Sequence, residues 1–330
     1  MSAAVRRDQW TYASGRTAAL ESRMVDMNFF QNIIQMSDAD NMVPRLSETL
    51  LGETLNRSDD LREADRAIDE AYREFIVELQ GVSPDPLVAN LTLWRKDLRS
   101  LRNHIKRNYM DVSVSEVPSR WEPAQWDRLW QDLLTPLPPI FGEIVERCQD
   151  VAESAESPEM FDAVFDSVSL KVLCDKARET DSEFITNWWQ RYDTARGVEF
   201  LWRGRALGWD DEAMNLLVRE RQDTELFDEL SVRELDEWPK LLPSSMEGLD
   251  VSGLSSGSGI EKIRSFAQSY DRWLMDYARE ARYIAFGPER IFGGLLGLSA
   301  ESYNMGLAVV GRANQVDPDR LSERMKALYV

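Results

Sequence analysis

The residues that could do chemistry are few, and their spacing argues against most of what they could do. Two acidic clusters, Asp59-Asp60-Leu61-Arg62-Glu63 and Asp210-Asp211-Glu212, could hold Mg²⁺ in the manner of a helical prenyl-transferring enzyme. Both stand where helices should begin, and acids are favoured there by the helix dipole whatever the function. The single histidine, His104, lies on a basic helix flank with no second histidine to share a metal. Cys148 and Cys174 are 26 positions apart with no histidine close in sequence, which fits two small buried hydrophobes better than a nucleophile or thiolate ligand. No Gly-x-x-x-x-Gly-Lys-Ser/Thr phosphate loop is present, so nucleotide hydrolysis by this chain alone is not expected. The reading is therefore no catalytic residue, no metal ligand, no cofactor and no small-molecule substrate.

A second set of acids is more ordered. Asp97, Asp193 and Glu301 each sit on a helix-like stretch that turns basic within about ten residues, at Lys106 and Arg107, at Arg203 and Arg205, and at Arg312. Each is preceded, 32, 31 and 30 residues earlier, by an acid at the start of an amphipathic segment: Asp65, Asp162 and Asp271. The two marks move together along the chain, with offsets of 97 and 109 for one and 96 and 108 for the other. We read this as a threefold internal repeat of about 100 residues, which means linked similar modules. Each acid is either a polar member of a helix pair, bonded to an arginine of its own module, or one of three residues lining a shared surface. Glu301 is the extreme case, the only charge in residues 300–311. A carboxylate there is costly without a partner, so the sequence predicts a cation for it, from Arg312 or an arginine of the preceding helix.

The elements that position these residues read as helices throughout. Residues 10–36 carry apolar side chains at three-and-four spacing and predict one long helix, and residues 61–79 predict another with Ala64, Ile68, Ala71, Phe75 and Leu79 inward. Thr180-Asp181-Ser182-Glu183 is a capping box ahead of the Asp193 helix. Near the end, residues 291–298 and 300–313 predict two helices, and Asp317-Pro318-Asp319 starts a terminal one with Asp317 as N-cap. Sustained period-two alternation is missing, so the class is all-α. Losses of periodicity divide the chain into helical lobes 1–115, 116–208 and 209–330, the last with a Gly/Ser-rich flexible loop at 243–259.

Composition narrows the partners. The chain has 330 residues, 43% hydrophobic and 29% charged, the balance of a folded protein. Its net charge of −19 excludes a general nucleic-acid binder, since phosphate neutralisation needs a basic surface. Two cysteines imply no disulfide framework, and no signal peptide or membrane-spanning helix is expected. The eleven tryptophans, among them Trp94, Trp188, Trp189, Trp202 and Trp273, lack a basic surface for stacking on bases and are read as core or interface filling.

The opening WTYASGRTAALESRM, from Trp10 to Met24, resembles the start of the central-stalk C subunits of archaeal and bacterial V/A-type ATPases, equivalent to the d subunits of the eukaryotic enzyme. The helices around Asp97 and Asp193 are similar to that family's aspartate helices, and GPERIFGGLLGLSAESYNMGLAVVGRAN with LSERMKALYV is similar to its C-terminal signature. Three residues after each acid, where the family usually has asparagine, stand Ser100, Arg196 and Asn304; Gly306 replaces a usual basic residue and Arg312 a usual lysine. The resemblance implies three helical lobes in pseudo-threefold arrangement, forming a funnel-shaped socket. It implies a rotor component peripheral to the cytoplasmic face of the membrane, coupling the central shaft to the proteolipid rotor ring for proton or sodium transport. Asp97, Asp193, Glu301, Asn304 and Arg312 would be structural repeat positions. The alternative is an acidic all-helical scaffold or adaptor without a rotary role.

Overall fold

A computed structural model describes residues 6–36, 39–57, 61–114, 119–154, 157–219, 221, 223–254 and 259–330. Among these every regular element is helical, as the missing period-two pattern implies. In chain order they are α1 (Thr11–Glu21), α2 (Met27–Ile34), α3 (Ala39–Ser47), α4 (Leu61–Val82) and α5 (Leu87–Tyr109). Then come α6 (Pro123–Trp130), α7 (Pro139–Ser154), α8 (Pro158–Arg178), α9 (Glu183–Leu207) and α10 (Asp211–Arg219). The last five are α11 (Thr224–Val232), α12 (Trp238–Ser245), α13 (Gly259–Arg279), α14 (Pro288–Ala313) and α15 (Pro318–Ser322).

The chain divides into two compact units. One comprises residues 1–93, 180–185 and 271–330, the other residues 94–179 and 186–270, and the division falls inside α5, α9 and α13. In the first unit α14 is the central element. Its residues Ile291, Phe292, Leu295, Leu298, Met305, Ala308 and Val309 are all buried, and α1, α2, α3, α4 and α15 pack on it. In the second unit the core gathers Phe141, Phe161, Phe165, Trp189, Trp202, Phe227 and Trp238, with Trp126 edge-on to Phe141 and Trp202 edge-on to Trp238. Trp188, Trp189, Trp202 and Trp273 are buried, which is the packing use expected of them, while Trp94 is half-buried.

Two segmentations differ from the sequence reading. The predicted long N-terminal helix is broken at residues 22–26, and Asp26 starts α2 by accepting the Phe29 N–H at 2.9 Å. Conversely, the two helices predicted between 291 and 313 are one, α14. Its glycines do not break it because they are where neighbours come closest. A Cβ at Gly294 would stand 2.4 Å from Thr17 of α1, and one at Gly297 would stand 2.6 Å from Tyr329. The terminal start signal is as read, with the Asp317 carboxylate accepting the Asp319 and Arg320 N–H groups. In the Gly/Ser-rich stretch, Met246, Leu249 and Leu254 are buried, and residues 255–258 lie outside the described residues. Asp59 and Asp60 of the first acidic cluster also lie outside them.

Candidate functional site

Three acids picked out by spacing alone are all buried, Asp97 and Asp193 completely and Glu301 to 1% exposure. Helix α5 brings Asp97 to Arg120 Nε at 2.9 Å and to the Trp121 indole N–H at 3.2 Å. Helix α9 brings Asp193 to Arg221, whose Nη1 lies 2.6 Å from its carboxylate and whose Nη2 donates to Ser167 of α8 at 2.5 Å. In both cases the cation comes from beyond the acid's own helix, 23 and 28 residues downstream, and the basic clusters on the same helices do other work. Lys106 pairs with Asp162 at 2.7 Å and Arg203 with Glu199 at 2.6 Å.

Glu301 breaks the expectation made for it. Its Oε2 accepts one hydrogen bond, from the Val25 backbone N–H at 3.3 Å, and its Oε1 has no partner. Among the described residues no cation pairs with it. Arg312 is 11 residues farther along α14, about 16 Å at 1.5 Å per residue, and donates instead to the Met36 carbonyl at 2.7 Å. Burial without a compensating charge pushes the Glu301 carboxyl up to about 7, the Val25 N–H pulling slightly the other way. Asn304, fully buried one turn on, clamps the C-terminal tail: its Nδ2 donates to the Lys326 carbonyl and its Oδ1 accepts the Lys326 N–H, at 2.9 and 2.8 Å.

Sequence reasoning missed a chain of charges in the second unit. Arg102 of α5 and Arg196 of α9 close on Asp166 of α8 at 2.7 and 3.0 Å. Arg196 goes on to Glu199 at 2.6 Å, which also accepts the Tyr270 hydroxyl of α13 at 2.8 Å. Burial alone would raise the Asp166 carboxyl, but the two guanidinium groups outweigh it and hold it below its usual range. The visible signal was the Arg196, Glu199, Arg203 spacing of three and four on one helix.

None of these arrangements sets a nucleophile beside a base. His104 is packed, with Nε2 2.8 Å from Asp127, and both cysteines are buried thiols, that of Cys174 raised by its burial. Among the described residues no group of three or more His, Cys, Asp or Glu is placed to hold a metal. A cavity of about 370 Å³ is lined by Ala18, Glu21, Ser22, Arg282, Tyr283 and Arg290, but Arg290 is already spent on Glu21 and on the Arg282 carbonyl. What Asp97 and Asp193 do have in common is that each ties its helix to an arginine of a later segment.

The whole chain, rather than a local motif, decides its kinship: residues 13–324 match the family described as ATP synthase (C/AC39) subunit. The chain belongs to that family. It is thus a V/A-type ATPase component of the C/d kind, part of the central stalk and associated with the other proteins of the complex. The C/AC39 match begins inside α1 and ends beyond α15, so it covers all of the second unit and most of the first. No curated protein matches the chain. Among the described residues of this C/AC39 chain, no helix is long and apolar enough to cross a membrane.

Proposed function

We propose that the chain is a non-catalytic rotor component, a socket that couples the central shaft of the V/A-ATPase head to the proteolipid ring for proton or sodium transport. The observation that carries this reading is the family match over residues 13–324, in a chain whose buried Asp97 and Asp193 are each paired with an arginine. The socket turns at the cytoplasmic face of the membrane, transmits torque and makes or breaks no bond itself.

Three lobes, 1–115, 116–208 and 209–330, give the socket its plan in this reading, and a recurring contact supports it. Asp162, which opens the second copy, meets Arg102, five residues after Asp97, at 3.4 Å. Asp65, which opens the first copy, lies against Gly306, five residues after Glu301: a Cβ there would stand 2.4 Å from its Oδ1. Tyr270, beside Asp271, donates to Glu199, six residues after Asp193. Each copy's first acid or its neighbour thus touches the acid-bearing helix of the preceding copy, taken cyclically. Asp97, Asp193, Glu301, Asn304 and Arg312 are then structural repeat positions.

An acidic chain of net charge −19 favours basic surfaces on its partners. Purifying the tagged chain from its native membranes tests the reading. Shaft and ring proteins are expected to accompany it at low salt and to fall away as salt rises. Recovery of the chain with neither would overturn the assignment.

A further inference from the structure

Glu301 is the one buried acid of the repeat set left without a cation, and the geometry around it gives it a use. Its only hydrogen bond goes to the linker at residues 22–26 that breaks the N-terminal helix in two. Ser22, Arg23 and Asp26 of that linker are exposed, and Met24 and Val25 are half-buried. On α14, by contrast, Leu298 and Met305 flank Glu301 as fully buried residues, and Met305 accepts the hydroxyl of buried Thr49 through its sulfur. The linker is the thin side of the enclosure.

We propose that Glu301 is a proton-controlled latch: protonated and neutral, it lets the 22–26 linker close over it on α14, and ionised, it draws in water and lifts the linker, because the cost of burying the charge outweighs the one Val25 N–H bond that favours it. An ionised carboxylate with one N–H donor and a bare second oxygen is poorly solvated, and it recovers solvation by admitting water at the thinnest cover. The carboxyl's position near 7 places that change where cells operate.

Charged groups of the surrounding elements leave the carboxyl alone. Arg23 of the linker pairs with Glu53, Glu21 of α1 with Arg290, Arg73 of α4 with Asp69, and Lys326 of the tail with Asp271. Asp26 caps α2, Asp65 of α4 lies against Gly306, Arg45 of α3 reaches Glu48, and Arg282 holds the Tyr329 carbonyl. In α15, Asp317 caps the helix over Asp319 and Arg320, and in α14 itself Arg312 serves Met36. None of these bonds to Glu301, so its protonation answers to the proton concentration rather than to a fixed partner. The inference concerns this chain's own conformation and stands apart from the rotor assignment.

Hydrogen exchange of the full chain at a series of pH values tests it, with rates expressed as protection factors. Protection of the Val25 amide in wild type should fall about tenfold from pH 6 to pH 8, since the open form ionises as an ordinary glutamate throughout that range and the closed one only near 7. Glu301→Gln, isosteric with the protonated acid, should show a flat profile. Equal pH dependence in both proteins, or constant protection in wild type, overturns the proposal. If Glu301→Gln does not fold, carbon-13 NMR of wild type with labelled glutamate carboxyls decides it. One glutamate titrating between pH 6 and 8, with Val25 protection following it, is expected; no titration in that window overturns the latch.

Discussion

Arg221 reaches back 28 residues to close on Asp193 at 2.6 Å with both side chains buried, and it bonds Ser167 with its other nitrogen. The pair ties α8 and α9 to the segment after α10. Removing one member strands the other, which for a buried pair costs about 3–5 kcal/mol, whereas replacing both with apolar residues of similar size is much milder. Arg221→Met should therefore lower the denaturation midpoint far more than the Asp193→Leu/Arg221→Met double variant. Equal losses in the two would show that the pair is not energetically coupled.

Stability should depend on pH through Glu301 in a direction opposite to most carboxylates. Its folded-state value is about 7 against 4.5 when unfolded, so the folded form binds the proton more tightly. The stabilisation is complete below about pH 4.5 and is lost as pH rises to 7, a fall of about 3 kcal/mol at 1.36 kcal/mol per pH unit. Glu21, also raised by burial despite Arg290, adds in the same direction; Asp166, held low by its arginines, acts oppositely, below the usual carboxylate range. Chemical denaturation of wild type and Glu301→Gln at pH 5 and pH 8 measures the difference. The variant should lose less stability than wild type between the two, and parallel losses would contradict the assignment.

The C-terminal tail should come loose from a single added methyl group. Tyr329 is 1% exposed and lies over Gly297, and the Leu328 carbonyl accepts from Arg279 at 3.0 Å. A Cβ at Gly297 would stand 2.6 Å from that of Tyr329, with no flexible end to move aside. Gly297→Ala should cost about 1–3 kcal/mol by overpacking and leave residues 327–330 open to carboxypeptidase. Gly15→Ala, where a Cβ meets nothing within 4 Å, should do neither.

Local signals in the sequence were reliable where a local cause sets the structure. Asp317-Pro318 starts α15 as read, because a cap and a proline act within one turn. The break at residues 22–26 was invisible because no glycine or proline marks it; the linker packs against Glu301, 276 positions away. The continuity of α14 was hidden for the converse reason, since Gly293, Gly294 and Gly297 look like breakers and serve as close-approach sites for α1 and the tail. The acids Asp97 and Asp193 were legible by their recurrence, but their cations were not. Proximity along a helix suggested Lys106 and Arg203, whereas Arg120 and Arg221 arrive from later segments. Glu301 shows the limit of the rule that a buried charge has a partner, for a carboxyl can also be accommodated by keeping its proton.

The central claim is that this C/AC39 chain carries torque and performs no chemistry. ATP hydrolysis and ion pumping, measured side by side in membranes from cells lacking the chain, test it most directly. The account predicts that the soluble head still hydrolyses ATP while pumping is lost, and that supplying the chain restores it. Pumping that persists at normal coupling without the chain would contradict its place in the rotor.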